Sequence, residues 1–391
     1  MTVAHVPVRA LTQGPKHHWF GYYDKLEFDP AGRRVLGMEV DFEGRSPRAE
    51  DRIRIGLVDL ADGDRWVDLG GTRAWCWQQG CMLQWLPGSD RKVIYNDREA
   101  DRFVSRILDV ETGEVETVPH PVYALSPDGR TAVAPDFRRI NDMRPGYGYA
   151  GLPDPHTDDP APATSGIERI DLANGTAELV VPLSRMLEIP CPHADLSTAK
   201  HYFNHLLVSP DGTRFEFLHR WRYPTGGGFQ TRMLTAAMDG SDLRVVDDYG
   251  GTSHFVWRDP ETIIAYSHHP SHGNAFYLYP DTDARVDPEP VGLDVMPENG
   301  HCTYLADPDW ILNDTYPQGQ ARLQELYLYH VPTGRRVEIG AFPSPPAYTG
   351  EWRCDLHPRS SPDGRTVVFD STHEGAGRQL YLAEIGSLLD A

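Results

Sequence analysis

SPDGRTVVFDS at residues 361–371, SPDGRTAVAPD at 126–136 and SPDGTRFEFLH at 209–219 repeat one pattern, a Ser-Pro-Asp-Gly turn opening directly into a β-rich run. Degenerate copies stand between them: FDPAG at 28–32, WLPGSD at 85–90, RDPET at 258–262 and ADPDW at 306–310, which makes seven units. A further strand-like run follows each unit, as in IRIGLVDL (53–60), ELYLYHV (325–331) and QLYLAEI (379–385). The first six then turn at a Gly- or Asp-rich spot into a fourth run. Strand, tight turn, strand, loop, strand, tight turn, strand is one propeller blade. The reading is an all-β, seven-bladed β-propeller in a single domain spanning residues 1–391. The last unit ends without a fourth strand, and VAHVPVRAL (3–11) is a strand without a partner. The N-terminal strand is therefore expected to close the ring and remove two open sheet edges.

Composition agrees. The 391 residues include 36 glycines and 33 prolines, the punctuation of many short strands and turns. A net charge of −20 argues against nucleic acid and anionic membranes as partners. The opening MTVAHVPVRAL lacks the apolar core of a signal peptide, and no run approaches the roughly 18 to 20 apolar residues that cross a bilayer. Five widely spaced cysteines do not make a disulfide framework. These features lead us to expect a cytoplasmic monomer or small homo-oligomer.

The blade pattern sorts residues by face. The tight turns hold Asp, Gly, Pro, Ser and Thr. The loops between second and third strands, together with the links between blades, hold most histidines and clustered arginines, as a binding face on a rigid scaffold would. Two long insertions, 138–164 and 183–204, belong to this face as a lid or pocket wall. His205 and His357 each stand five residues before the proline of their turn, His254 six before and His301 seven before. All four are expected where innermost strands begin, around the mouth of the central channel. Imidazoles from consecutive blades suit a divalent metal, manganese or zinc; Asp355, two residues from His357 on an extended segment, points the same way. HHWFGYYDK (17–25) falls on the same face as a blade-to-blade link, with Trp19 and Phe20 packing and His18, Tyr22 and Tyr23 turned to the pocket. Gln79, Arg144, Arg222, Tyr316 and Arg353 complete the expected substrate-binding set.

RCDLHPRSSPDGRTVVFDSTHEG, preceded by GHCTYLADPDWILNDTYP, resembles the oligogalacturonate lyase group of β-propeller polysaccharide lyases. HHWFGYYDK, WCWQQGCMLQW, RPGYGY and NHLLVSPDGTRFEFLHRW are similar to a wider set that includes ulvan lyases. The resemblance implies β-elimination on a uronic-acid-containing oligosaccharide or glycoside. It also implies a metal held by histidines: His301 and His357 match, Asp355 stands where the family has another histidine, and the family's glutamine falls near Trp352. A His and a Tyr with an Arg and a second His nearby would carry the proton transfers, here His205, His219, Arg220 and Tyr266. Removing a proton beside an ionised carboxylate requires a neutralising cation and a base that titrates near neutrality. Tyr316 and Tyr22 are further candidates for the acid. Two rival readings are a propeller enzyme acting on a small metabolite and a non-catalytic binding propeller; fold alone does not separate them. No GxSxG motif is present to support a serine hydrolase.

Overall fold

The computed structural model describes residues 2–390 except 283 and 285. Seven antiparallel sheets follow one another along the chain and form the blades of one ring. Blade one runs from His17–Trp19 to Arg65–Thr72, blade four from Lys200–Val208 to Arg244–Gly250, and blade six from Thr303–Tyr304 to Arg335–Pro343. The SPDG turns work as their chemistry requires. The Ser126 hydroxyl donates to Asp128 at 2.6 Å and that of Ser209 to Asp211 at 2.7 Å, while Gly129, Gly212 and Gly364 take φ near +70°.

Ring closure is as expected, with an addition. Val8–Ala10 pairs with Gln379–Glu384 as the fourth strand of blade seven. The same segment first pairs Val3–Ala4 with Arg335–Pro343 as a fifth strand on blade six. The N-terminus thus joins two blades. The seam with blade one is fastened by Gln379, whose Oε1 accepts from Thr12 Oγ1 at 2.7 Å and lies 2.9 Å from His18 Nδ1.

HHWFGYYDK differs from the expected link. His17–Trp19 is itself inner strand, paired with Met38–Val40, and ladder pairing resumes only at the Phe28–Val35 bridge. Residues 20–27 leave the strand and turn inward. Gly21 permits this at φ +120°, where a Cβ would meet the Gln79 carbonyl carbon at 2.9 Å. The excursion fills the channel with buried Tyr22 and Tyr23. Trp19 packs against Trp75 and Trp77 with ring centroids 5.8 and 5.3 Å away, and Phe20 joins the same core.

The one α-helix of more than four residues among the described residues, Phe137–Met143, lies within the blade-three insertion, capped by Asp136. Among the described residues no helix is long and apolar enough to cross a membrane, and all five cysteines are free thiols.

Deleting residues 2–10 would bare the outer edges of blades six and seven at once. Losing several kcal/mol, at about 2 °C each, should lower the unfolding midpoint by roughly 5 °C or more. An unchanged midpoint in calorimetry would show that the segment does not close the ring.

Candidate active site

Four histidines from four consecutive blades meet at one end of the channel. The rings of His254 and His301 have centroids 4.2 Å apart, as do those of His301 and His357, and Tyr22 touches His205 at 4.8 Å and His357 at 5.3 Å. The backbone explains how two of them leave the ladder. His205 and His357 have φ of +51° and +43°, and the register of blade four shifts between Asn204 and Leu206 around His205. Met82, in the matching position of blade two, has φ +56°. The bulge therefore belongs to the repeat, and an imidazole placed on it is thrust inward. Non-glycine residues in this region cost about 1–3 kcal/mol, and such strain is common at functional sites.

Nitrogens and oxygens of His301, Asp355 and His357 lie within 4.8 Å of one another and could hold a metal ion. The donor set fits. Both oxygens of the Asp314 carboxylate lie 2.9–3.0 Å from His301 Nδ1, which must donate, so that Nε2 keeps its lone pair. His301 Nε2 and His357 Nε2 are buried without a hydrogen-bond partner. A carboxylate fixing the far nitrogen of an imidazole is the usual support of a metal ligand. Burial, then the neighbouring His301, hold His357 well below the ordinary histidine pKa and thus unprotonated. The four-ligand set read from the sequence is three here. His254 stands beside it, with Nδ1 donating to Asn299 Oδ1 at 3.0 Å and Nε2 directed at Tyr316 Oη, 3.4 Å away.

A cavity of about 230 Å³ opens against these groups, lined by Tyr22, Arg144, Arg220, Phe229, His254 and Tyr316 among others, with no acidic residue in its wall. Tyr147 of the blade-three insertion also lines it and accepts from Arg353 Nη2 at 2.6 Å; Arg353 Nε donates to Asp355 at 2.7 Å. Burial raises Tyr22 well above the ordinary tyrosine pKa, so its hydroxyl keeps its proton. Hollows elsewhere are larger, such as one of about 470 Å³ beside Phe103 and Pro135, but that one is walled in part by Asp136 and Glu168 and by none of the four clustered histidines.

Other expected residues fall outside this pocket. His219 lies in a buried one-way chain: Arg232 Nε donates to its Nδ1 at 2.9 Å, its Nε2 meets His201 Nδ1 at 2.9 Å, and His201 Nε2 meets Leu196 O at 3.0 Å. Strand alternation turns His219 toward blade three and Arg220 toward the cavity. The Tyr266 hydroxyl is held by Pro297 O at 3.2 Å. His18 is fixed by Gln379 and by Glu39, 3.2 Å away, beside Trp66 rather than at the mouth. Gln79 donates to Tyr123 deeper in the channel. His205 stacks on Phe255 at 3.9 Å, with Nε2 only 3.3 Å from Asp24 but out of line for a hydrogen bond. Tyr23 lies under the histidines, its hydroxyl bonded to both backbone groups of Phe255. Asp314, Asn299 and Tyr147 were not singled out in the sequence. Only the position of Asp314 at the end of a strand facing the channel could have marked it.

No family model and no curated protein sequence matches the chain. Solved structures do. An oligogalacturonate lyase from Vibrio parahaemolyticus is 17% identical with a TM-score of 0.68, over 98% of this chain and 96% of that one. An oligogalacturonate lyase in complex with manganese is 16% identical with a TM-score of 0.70, over 99% and 95%. A prolyl endopeptidase is 12% identical with a TM-score of 0.52, but only 49% of that chain is covered. The shared feature is the fold. It is a seven-bladed β-propeller.

Two outcomes follow from this geometry. The protein should bind about one equivalent of manganese or zinc in calorimetric titration; the His301→Ala, His357→Ala double variant should bind none, and Asp314→Asn should weaken binding by roughly 10- to 100-fold. Separately, burial pushes His201 down to about 4 from 6.5. The unfolded chain therefore takes up this proton first, so the contribution is full above pH 6.5 and is lost as pH falls toward 4. Roughly 3 kcal/mol, at 1.36 kcal/mol per pH unit, should disappear across that window, and His201→Gln should flatten the acid limb in urea unfolding.

Proposed function

We propose that the protein is a lyase that cleaves a uronic-acid-containing oligosaccharide or glycoside by β-elimination in the cavity at the channel mouth. The observation that carries this reading is an acid-free cavity walled by an unprotonated imidazole, a protonated phenol and two guanidiniums, with a three-residue candidate metal-ligand set directly behind it, the ring of His301 lying 4.2 Å from that of His254 in the wall. The whole-chain likeness in fold to two oligogalacturonate lyases, one of them in complex with manganese, adds support.

In this reading His254 is the base. Burial, and then His301, keep it well below the ordinary histidine pKa, and Asn299 holds its Nδ1 proton, so that Nε2 carries the lone pair, which accepts from Tyr316 at 3.4 Å until substrate takes that place. It takes the proton from C5 of the uronide; that electron pair becomes the C4–C5 double bond as the C4–O bond breaks. Tyr22 then gives its proton to the departing oxygen. His301, Asp355 and His357 would hold the metal, with manganese the first choice. A bound divalent ion supplies the positive charge that offsets the extra negative charge developing on the substrate carboxylate. The sequence-based assignment changes accordingly: His254 replaces His205 and His219 as base, and Tyr22 replaces Tyr266 as acid.

Unsaturated uronide products absorb in the near ultraviolet, so a panel of uronic-acid oligosaccharides and glycosides tests the reading directly. At least one member should give a rising signal, with kcat reduced about 10²- to 10⁴-fold in His254→Ala and in Tyr22→Phe. A metal-loaded protein silent on the whole panel would overturn the proposal.

A further inference from the structure

Arg144, Arg220 and Arg222 converge on Phe229, their guanidinium carbons 4.6, 4.6 and 5.9 Å from its ring centroid. Arg220 is only 4% exposed, and its Nε and Nη1 have no acceptor; the buried Nε of Arg222 has none either. Tyr202, close enough to feel the charges of Arg144 and Arg222, is fully buried with an unpartnered hydroxyl. None of the three guanidiniums is in an ion pair with a described residue. The chain carries 57 acidic residues, yet none of the described ones lines this cavity.

A buried set of donors without acceptors is costly, because each has given up water for nothing. Contact with the Phe229 ring holds the guanidiniums in place without consuming an N–H, leaving the donors free for a ligand. The set calls for an anion that offers more than two acceptor oxygens. A single carboxylate offers two oxygens and one charge. An oxyanion ester with three terminal oxygens matches the donors better.

We propose that Arg144, Arg220, Arg222 and Tyr202 form a subsite for a phosphate or sulfate ester carried by the substrate, separate from the His301–Asp355–His357 group. The inference rests on the reading of this cavity as the substrate site and adds a second, differently shaped anionic group to that substrate.

The test is calorimetric titration of the full-length protein, with a chelator present, against inorganic phosphate, sulfate and acetate at low ionic strength. Phosphate or sulfate should saturate one site at least tenfold more tightly than acetate, and the better of the two identifies the ester. Arg222→Met should weaken that binding tenfold or more, whereas the His301→Ala, His357→Ala double variant should keep it within about twofold. Equal binding of acetate, no saturable binding of any anion, or loss of binding in the histidine double variant would each overturn the proposal. The ranking in the unaltered protein decides the matter even if Arg222→Met does not fold. Failure of the elimination reading would appear as silence on the uronide panel and leave this ranking intact, so the two failures are distinguishable.

Discussion

The Asp314 carboxylate is the constraint on which the candidate site depends. It is fully buried in blade six and accepts from the His301 backbone N–H at 2.7 Å, from His301 Nδ1, and from the His357 backbone N–H at 3.1 Å. A buried charge is tolerable only when hydrogen-bonded, and here three donors from two blades supply the bonds. Two consequences follow. The tautomer of His301 is fixed, so its Nε2 lone pair faces the channel. Blade seven, which carries His357, is tied to blade six independently of the N-terminal strand that spans the same pair outside. Ring closure and site assembly thus act on the same two blades.

The histidine cluster was legible because each blade begins its inner strand at the same place in the ring. That entry lies five to seven residues before the turn proline, and where the count is five the positive φ shared by Met82, His205 and His357 shows that the equivalence extends to the backbone. Spacing alone could not rank the four imidazoles. Their roles depend on what lies behind each ring: Asp314 behind His301, Asn299 behind His254, Phe255 under His205. Those partners come from other loops or other strands.

Two features escaped sequence reasoning for different reasons. In HRWR (219–222), period two separates His219 from Arg220, but the face each takes depends on the neighbouring blades, and the histidine went to the dry side. In HHWFGYYDK the separation of packing Trp19 and Phe20 from inward Tyr22 and Tyr23 was expected, but the whole stretch was read as a link, whereas the chain divides into inner strand and channel plug at Gly21. That division rests on a close approach to the Gln79 backbone, a contact between distant residues that no local pattern announces. His18 was lost to the same cause, because the stretch that contains it is strand at a seam, where Gln379 claims its ring.

The blade-three insertion is more than a wall. Tyr147 accepts from Arg353, and Arg353 in turn grips Asp355, so the loop reaches the candidate metal-ligand set through two hydrogen bonds of 2.6 and 2.7 Å. Arg353 also lies within 5.8 Å of both the Tyr147 and Tyr316 rings, between the insertion and the blade-six loop. A carboxylate shared between a guanidinium and a metal donates less charge to the metal than a free one. The position of Tyr147 thereby bears on how strongly Asp355 can act as a ligand. Arg144 and Tyr147 of this insertion line the acid-free cavity, so Arg353 links one wall of that cavity to the three-residue set. The long loop gives the repeat what its symmetry cannot supply, a contact made once in the ring.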